Sequence, residues 1–284
     1  MTSYSVIIPA LNEEEGITAV LDRLKALSPR PEIIVVDDGS TDRTGEKAKA
    51  AGAIVLRHPI PGGYGRSLKD GIRAATQEIV CITDADGTYP VERLPELVAD
   101  IEAGFDMSVG ARTGRHYRGS FLKMPARIIF KWLVEFTTGR FIPDINSGLR
   151  AMRKSDVLAV EQDLCNGFSF TTTITLIQLL TGKFVKYTPI EYAKRAGRSK
   201  VHIVQDSLRT LQYIVEVIAT YNPLKLFVLL SGSLGLLAVL ALVEFFLFLE
   251  PWFLIFAALF LVGAAILFGL GLHAHVNARS SRSR

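Results

Sequence analysis

The sequence predicts an α/β protein: a doubly wound, mainly parallel sheet, followed by interfacial helices and a C-terminal two-helix transmembrane hairpin. Three observations carry this. Short apolar, β-branched runs alternate with single amphipathic stretches over residues 4–111, the pattern of parallel strands joined by helical crossovers on both faces. Residues 226–243 and 252–272 carry no charge and lie in tandem across Glu250-Pro251. About 20 residues at 1.5 Å each span a hydrocarbon core of roughly 30 Å. Residues 121–137 and 203–221 combine basic or polar positions with apolar ones at helical spacing, which suits helices lying at a membrane surface.

Residues 4–9 make the first strand. Asn12 and Glu13 open an amphipathic helix to about residue 27, and Ser28-Pro29-Arg30-Pro31 ends it, because proline lacks the amide a helix needs. A second strand over 32–36 runs into Asp37-Asp38-Gly39-Ser40, followed by a helix over 42–51 and a strand over 53–56. Pro61-Gly62-Gly63-Tyr64-Gly65 then feeds a helix to residue 75. Residues 78–83 form a buried strand that delivers Asp84 and Asp86 at its end, before a helix over 91–103 and a strand over 107–111. In such sheets ligands bind beyond the carboxyl ends of the strands. That rule collects Pro9-Ala10, Asp37-Asp38, Gly62 to Gly65 and Asp84/Asp86 along one crevice.

The chemistry of these segments has alternatives. Asp84 and Asp86 are either a solvated turn or a pair of hard oxygen donors for Mg2+ or Mn2+ carrying a phosphate ligand. Asp37 and Asp38 either cap their turn or accept hydrogen bonds from a base or ribose. The glycine loop matches neither a Walker A segment nor a dinucleotide fingerprint. It is a turn, or a place where backbone and ligand approach closely, which makes Gly63 a donor-binding candidate.

After residue 111 the α/β rhythm stops. Arg112, Arg115 and Arg118 crowd one polar stretch, and Lys123, Arg127 and Lys131 recur every four residues on one face of the helix over 121–137. Ile128, Ile129, Trp132, Leu133 and Phe136 fill much of its remaining circumference. Residues 166–170 open an apolar helix to 180, residues 185–192 form a last strand, and Arg195, Arg198 and Lys200 follow in a loop.

Three motifs in order, Val6-Ile7-Ile8-Pro9-Ala10-Leu11-Asn12-Glu13-Glu14, Val36-Asp37-Asp38-Gly39-Ser40-Thr41-Asp42 and Asp84-Ala85-Asp86, resemble glycosyltransferase family 2, with its GT-A nucleotide-sugar-binding fold. Within it the chain is similar to dolichol-phosphate mannose synthase and the bacterial polyprenyl-phosphate glycosyltransferases, over residues 4–200. The resemblance implies that Pro9, Ala10, Glu13 and Asp38 line the nucleoside pocket, and that Asp84 and Asp86 hold the donor diphosphate through a metal. It also implies that Asp144 and Ser147-Gly148-Leu149-Arg150 border the sugar and the lipid phosphate. Leu149 stands where the family has an aromatic residue. Arg195-Ala196-Gly197-Arg198-Ser199-Lys200 resembles the family's Arg-x-x-Gly-x-Ser-Lys loop, whose cations approach the two phosphates.

The expected reaction moves one sugar from a nucleotide sugar (GDP-mannose or UDP-glucose type) to undecaprenyl or dolichyl phosphate, with a divalent metal and inversion. Asp86, Asp144 and Arg150 form the expected catalytic set; Asp144 either orients a sugar hydroxyl or acts as base. Arg112, Arg127, Lys131, Arg150, Arg195, Ser199 and Lys200 are the expected acceptor-phosphate contacts. Alternatives are a transferase acting on another membrane lipid, a processive polysaccharide synthase and a non-catalytic nucleotide-sugar sensor. The synthase would carry a Gln-x-x-Arg-Trp segment, which is absent here.

Composition narrows the setting. A net charge of +4 is poorly suited to nucleic acid and better suited to anionic lipid and phosphate. Cys81 and Cys165 lack metal-ligand spacing and fit a reducing compartment. Lys225 before the first span and Arg279, Arg282 and Arg284 after the second put both ends in the cytoplasm. The expected domains are a catalytic unit over 1–200, an interfacial helix over 201–222, the hairpin over 223–273 and a basic tail over 274–284. Ser231, Gly232, Ser233 and Gly235 would permit close helix contacts in a homo-oligomer.

Overall fold

The computed structural model describes residues 2–114, 124–193 and 203–282; of 124–127, 203–206, 279 and 281–282 only the backbone is described. Among the described residues seven strands are formed: β1 (Tyr4–Ala10), β2 (Glu32–Asp37), β3 (Ile54–Arg57), β4 (Ile79–Ile82), β5 (Met107–Thr113), β6 (Arg150–Arg153) and β7 (Val185–Glu191). They make one sheet in the order β3-β2-β1-β4-β6-β5-β7. β6 runs antiparallel to both neighbours, and the other pairs are parallel.

β1 shows why the sheet forms here. All seven of its residues are buried, as expected of a strand covered on both faces. Tyr4, Val6, Ile8 and Ala10 share one core with Ile17, Val20, Leu21 and Leu24 of α1 (Ile17–Lys25) and Leu94, Leu97, Val98 and Ile101 of α4 (Leu94–Glu102). Ile7 faces the opposite way, against α3 (Tyr64–Ala74), where a Cβ added at Gly71 would lie 2.5 Å from the Ile7 side chain. Strand and helix meet there without room for even a methyl group. α2 (Thr44–Ala50) bridges β2 and β3.

Three departures from expectation matter for the site. β6 and the short α6 (Lys154–Ala159) lie where the sequence shows no strand or helix signal. Four residues with arginine at both ends carry no usable alternation, yet Arg150 pairs with Ile82 on one side and Val109 on the other. α1 begins at Ile17, because the Gly16 and Ile17 amides both donate to Glu13 O and tighten residues 13–16 into a turn. β4 ends at Ile82, so Asp84 and Asp86 stand in the turn beyond the strand.

After β5 come α5 (Met124–Thr138) and α7 (Phe170–Leu180). Ile128, Ile129, Trp132 and Phe136 of α5 are exposed, with the Trp132 and Phe136 rings stacked at 5.6 Å, and Lys131 lies 4.6 Å from the Phe141 ring centroid. The chain divides into two compact units, residues 1–213 and 214–284, and α8 (Ile203–Tyr221) contributes to both. In the second unit, α9 (Pro223–Phe248) and α10 (Pro251–Arg282) form a hairpin. Leu249 makes the turn in the left-handed region (φ 56°), its amide donating to Phe245 O, and Pro251 starts α10.

Both helices are long and apolar enough to cross a membrane, with mean hydropathies of 2.6 and 2.8 in their most apolar windows. Small residues line their seam. Ala238, Ala241, Ala257 and Ala264 are buried, Ser231 Oγ donates to Ala264 O at 2.8 Å, and Gly271 abuts Phe227. Large apolar side chains such as Leu236, Phe246 and Leu261 point outward and are more than half exposed. An outer surface of that kind is stable in hydrocarbon, where association rests on close small-residue packing.

Candidate active site

The carboxyl ends of β1 and β2 are laced together. Asp38 N donates to Ala10 O at 2.8 Å, Asn12 N to Ser40 Oγ at 3.0 Å, Thr41 N to Asn12 Oδ1 at 2.8 Å, and Glu13 N to Thr44 Oγ1 at 2.9 Å. Asn12 makes this possible by taking a left-handed conformation (φ 52°), which its short polar side chain tolerates. Pro9, Ala10, Glu13 and Asp38 are thereby brought to one place. Asp37 is buried and caps the turn, accepting the Ser40 amide at 2.9 Å, so the capping reading applies to it.

Asp38 holds the glycine loop. Its Oδ1 accepts Gly62 N at 2.7 Å and its Oδ2 accepts Gly63 N at 2.9 Å. Gly63 is in the left-handed region (φ 104°), and a Cβ there would strike Asn166 O at 2.5 Å, so only glycine fits.

A residue the sequence reading missed completes the clamp. His58 Nδ1 lies 2.6 Å from Asp38 Oδ1, and its Nε2 lies 3.1 Å from Asp70 Oδ2 on α3. The signal was available: His58 directly follows β3 and so lies on the crevice edge of the sheet. His58→Ala is expected to loosen the loop and, on the donor-side role that the resemblance implies for Asp38, to weaken nucleoside diphosphate binding about tenfold, the equivalent of one lost charge-assisted bond. Turnover at saturating donor should change less than about twofold. Calorimetric titration alongside steady-state kinetics checks the split; unchanged nucleotide affinity would contradict the role.

Asp84 and Asp86 are both part-buried. Asp84 Oδ1 accepts the Tyr64 hydroxyl at 3.1 Å. Burial, reinforced by the Asp84 charge, raises the Tyr64 pKa well above the usual phenol value, so the hydroxyl stays a donor. Gly148 lies against the same carboxylate: a Cβ there would be 3.1 Å from Asp84 Oδ1, and the Gly148 amide donates to Tyr89 Oη at 2.7 Å. Asp86 Oδ1 accepts the Thr88 amide at 3.1 Å and hydroxyl at 2.6 Å, with Gly87 (φ 73°) turning the chain between them. Among the described residues no three His, Cys, Asp or Glu side chains gather as a metal site. Two carboxylates without a third ligand fit Mg2+ or Mn2+, which takes its remaining ligands from phosphate and water.

The acceptor-side residues are arranged differently from expectation. Asp144 is 3% exposed. Its Oδ2 accepts Arg112 N at 3.1 Å and Nε at 2.7 Å, and its Oδ1 accepts Arg112 Nη2 at 2.9 Å and Asn146 N at 3.1 Å. Burial pushes its pKa up, but the Arg112 bonds and charge outweigh that and hold it below the usual carboxylate range. A carboxylate so engaged is at odds with a base role; it anchors Arg112, whose guanidinium also lies 5.4 Å from the Tyr192 ring centroid.

Arg150 departs furthest. Its relative exposure is 0%. Nε donates to Ser147 O at 2.6 Å, Nη1 to Thr175 Oγ1 at 2.5 Å and Nη2 to Ile145 O at 2.7 Å. Arg150 is here a buried brace under residues 145–147. Of the other expected cations, Lys131 sits on α5 within 3.7 Å of Glu135. The Arg127 side chain, with Arg115, Arg118, Lys123, Arg195, Ser199 and Lys200, lies outside the described residues.

The comparisons with known proteins can be set beside this geometry. The family model "Glycosyl transferase family 2" matches residues 5–159. A dolichyl-phosphate hexose transferase of Haloferax volcanii is 31% identical over 207 residues, covering 71% of this chain and 90% of that protein. An undecaprenyl-phosphate 4-deoxy-4-formamido-L-arabinose transferase of Proteus mirabilis is 32% identical over 295 residues, covering 96% of this chain and 87% of the relative. In structure, the chain resembles glucosyl-3-phosphoglycerate synthase from Mycobacterium tuberculosis, solved with Mn2+, uridine diphosphate and phosphoglyceric acid. The TM-score is 0.63 at 23% identity, over 76% of this chain and 78% of that one. The same enzyme solved with Mg2+ and uridine diphosphate gives 0.62 at 22% identity, over 76% and 79%. At this identity the likeness speaks for the fold.

Proposed function

The chain belongs to glycosyltransferase family 2, and from that premise we propose that it transfers one sugar from a nucleoside-diphosphate donor to a polyprenyl monophosphate. The observation that carries the reading is the joining of the two halves of the crevice. Gly148, on the segment that follows Asp144, lies against Asp84, so donor-side and acceptor-side residues meet at one carboxylate. The relatives' acceptors, dolichyl and undecaprenyl phosphate, and the apolar hairpin support a lipid acceptor.

A metal held by Asp84 and Asp86 would supply positive charge opposite the leaving diphosphate. An acceptor oxygen forms a bond to the anomeric carbon as the bond from that carbon to the diphosphate breaks, and in-line attack inverts the centre. A phosphate with a second pKa of about 6 is largely dianionic at neutral pH and needs no base. This agrees with Asp144 being spent on Arg112. What the acceptor needs is a cation to keep two anions together. Arg112, fixed by Asp144, fills that role, joined by Arg127, Lys131, Arg195 and Lys200, with the Ser199 hydroxyl as a neutral donor.

The donor is of the GDP-mannose or UDP-glucose type. Residues 1–200 form the catalytic part, 201–222 an interfacial helix, 223–273 the membrane hairpin, and 274–284 a tail. Lys225 before the first span and Arg279, Arg282 and Arg284 at the end of the second favour a cytoplasmic catalytic part with both ends on that side. No Cβ contact crowds Gly232 or Gly235, which leaves room for a second copy to approach α9. The test is acceptor dependence: nucleoside diphosphate release from labelled UDP-glucose or GDP-mannose should rise on adding undecaprenyl phosphate and not on adding diacylglycerol. Equal stimulation by diacylglycerol would point to the other-lipid alternative.

A further inference from the structure

Phe168 is an exposed aromatic beside the crevice. It is 53% exposed, and leaving part of such a ring in water forgoes the gain of burying it. Its ring stacks on Tyr64, with centroids 5.8 Å apart and planes 20° from parallel. The Tyr64 hydroxyl is the one that donates to Asp84. The open ring is thus one stacked side chain away from the carboxylate that borders the diphosphate site.

The backbone that carries Phe168 is held firmly. Arg66 N donates to Asn166 O at 3.1 Å, and Lys69 Nζ donates to Asn166 Oδ1 at 2.9 Å and to Leu164 O. A Cβ at Gly65 would lie 2.2 Å from Cys165 O, so α3 and this loop touch backbone to backbone. On the other side Ser169 Oγ lies 2.9 Å from Thr210 Oγ1. Asp38 and His58 clamp the start of α3, so the glycine loop, Tyr64 and Phe168 form one connected unit. An exposed ring on a rigid mount, next to a binding crevice, is suited to contact a ligand at little cost in conformational entropy.

We propose that Phe168, backed by Tyr64, is the platform on which the sugar ring of the donor rests. A pyranose is apolar on the face formed by its C–H bonds and polar around its hydroxyl edge. It therefore matches an aromatic face bordered by a few polar groups such as Asp84. This deepens the proposed function and rests on it. The competing occupant is the prenyl chain of the acceptor, which would take an apolar ring without regard to the sugar.

The experiment uses the full-length protein in lipid nanodiscs, with Phe168→Leu (apolar volume kept, ring lost) and Phe168→Trp (ring kept). Binding of UDP-glucose is compared with UDP, and GDP-mannose with GDP, by calorimetry; KM for acceptors of different prenyl length is measured in parallel. Expected is an about tenfold loss of nucleotide-sugar affinity in Phe168→Leu with the nucleoside diphosphate affinity unchanged, and near wild-type values in Phe168→Trp. Parallel losses for nucleoside diphosphate and nucleotide sugar would reduce Phe168 to a loop support and overturn the proposal. So would unchanged donor affinities, whether or not KM rises with prenyl length. If the wild type forms no lipid-linked sugar yet shows the sugar-specific loss in Phe168→Leu, the acceptor assignment fails and the platform stands.

Discussion

Asp86→Ala is expected to lower sugar transfer by at least about 10³-fold, a loss of about 4 kcal/mol of transition-state stabilisation. The size follows from the position of the charge: a leaving diphosphate builds negative charge where Asp84 and Asp86 are the hard oxygen donors at the turn. The fold should survive, because Asp86 bonds within its own turn, to the Thr88 amide and hydroxyl, and losing those costs about 1 kcal/mol each. Chelation of the wild type should reproduce the loss, and Mn2+ should restore the chelated wild type while leaving Asp86→Ala inactive. Full transfer by the wild type in excess chelator would remove the metal from the account.

The second large effect is on stability. Arg150→Met removes the donors that satisfy Ile145 O, Ser147 O and Thr175 Oγ1 in a fully buried setting. Each stranded acceptor costs about 1–3 kcal/mol, so a total destabilisation of at least about 3 kcal/mol is expected by thermal or denaturant unfolding. Arg150→Lys keeps a charge but cannot reproduce the planar fork, and should lose about 2 kcal/mol or more. Transfer should fall in both, because residues 145–148 carry Gly148 to Asp84. If Arg150→Lys keeps wild-type stability while KM for polyprenyl phosphate rises about tenfold, the guanidinium touches the acceptor after all.

These two residues show where sequence reading reaches and where it stops. The position of Asp86 was legible because it is local: a carboxylate pair just past a buried strand, at the edge where doubly wound sheets bind ligands. The parallel strands were legible for a similar reason, since burial on both faces turns them into apolar runs such as Val6-Ile7-Ile8. Arg150 was not. Arginine is seldom fully buried, and its burial depends on Thr175, 25 positions onward, and on a four-residue strand with no periodicity of its own. The pairing of Asp144 with Arg112 was not legible either, because the two lie 32 positions apart. His58 was overlooked although it follows β3 at the crevice edge, since its two partners, Asp38 and Asp70, come from different elements.

The central claim is one sugar placed on a lipid phosphate. Full-length protein in vesicles containing undecaprenyl phosphate, supplied with labelled UDP-glucose or GDP-mannose, should yield a lipid whose mass equals the polyprenyl phosphate plus a single hexosyl residue (hexose less water), joined through phosphate with inverted anomeric configuration. A ladder of products carrying several sugars, or a glycolipid lacking the phosphate linkage, would contradict it.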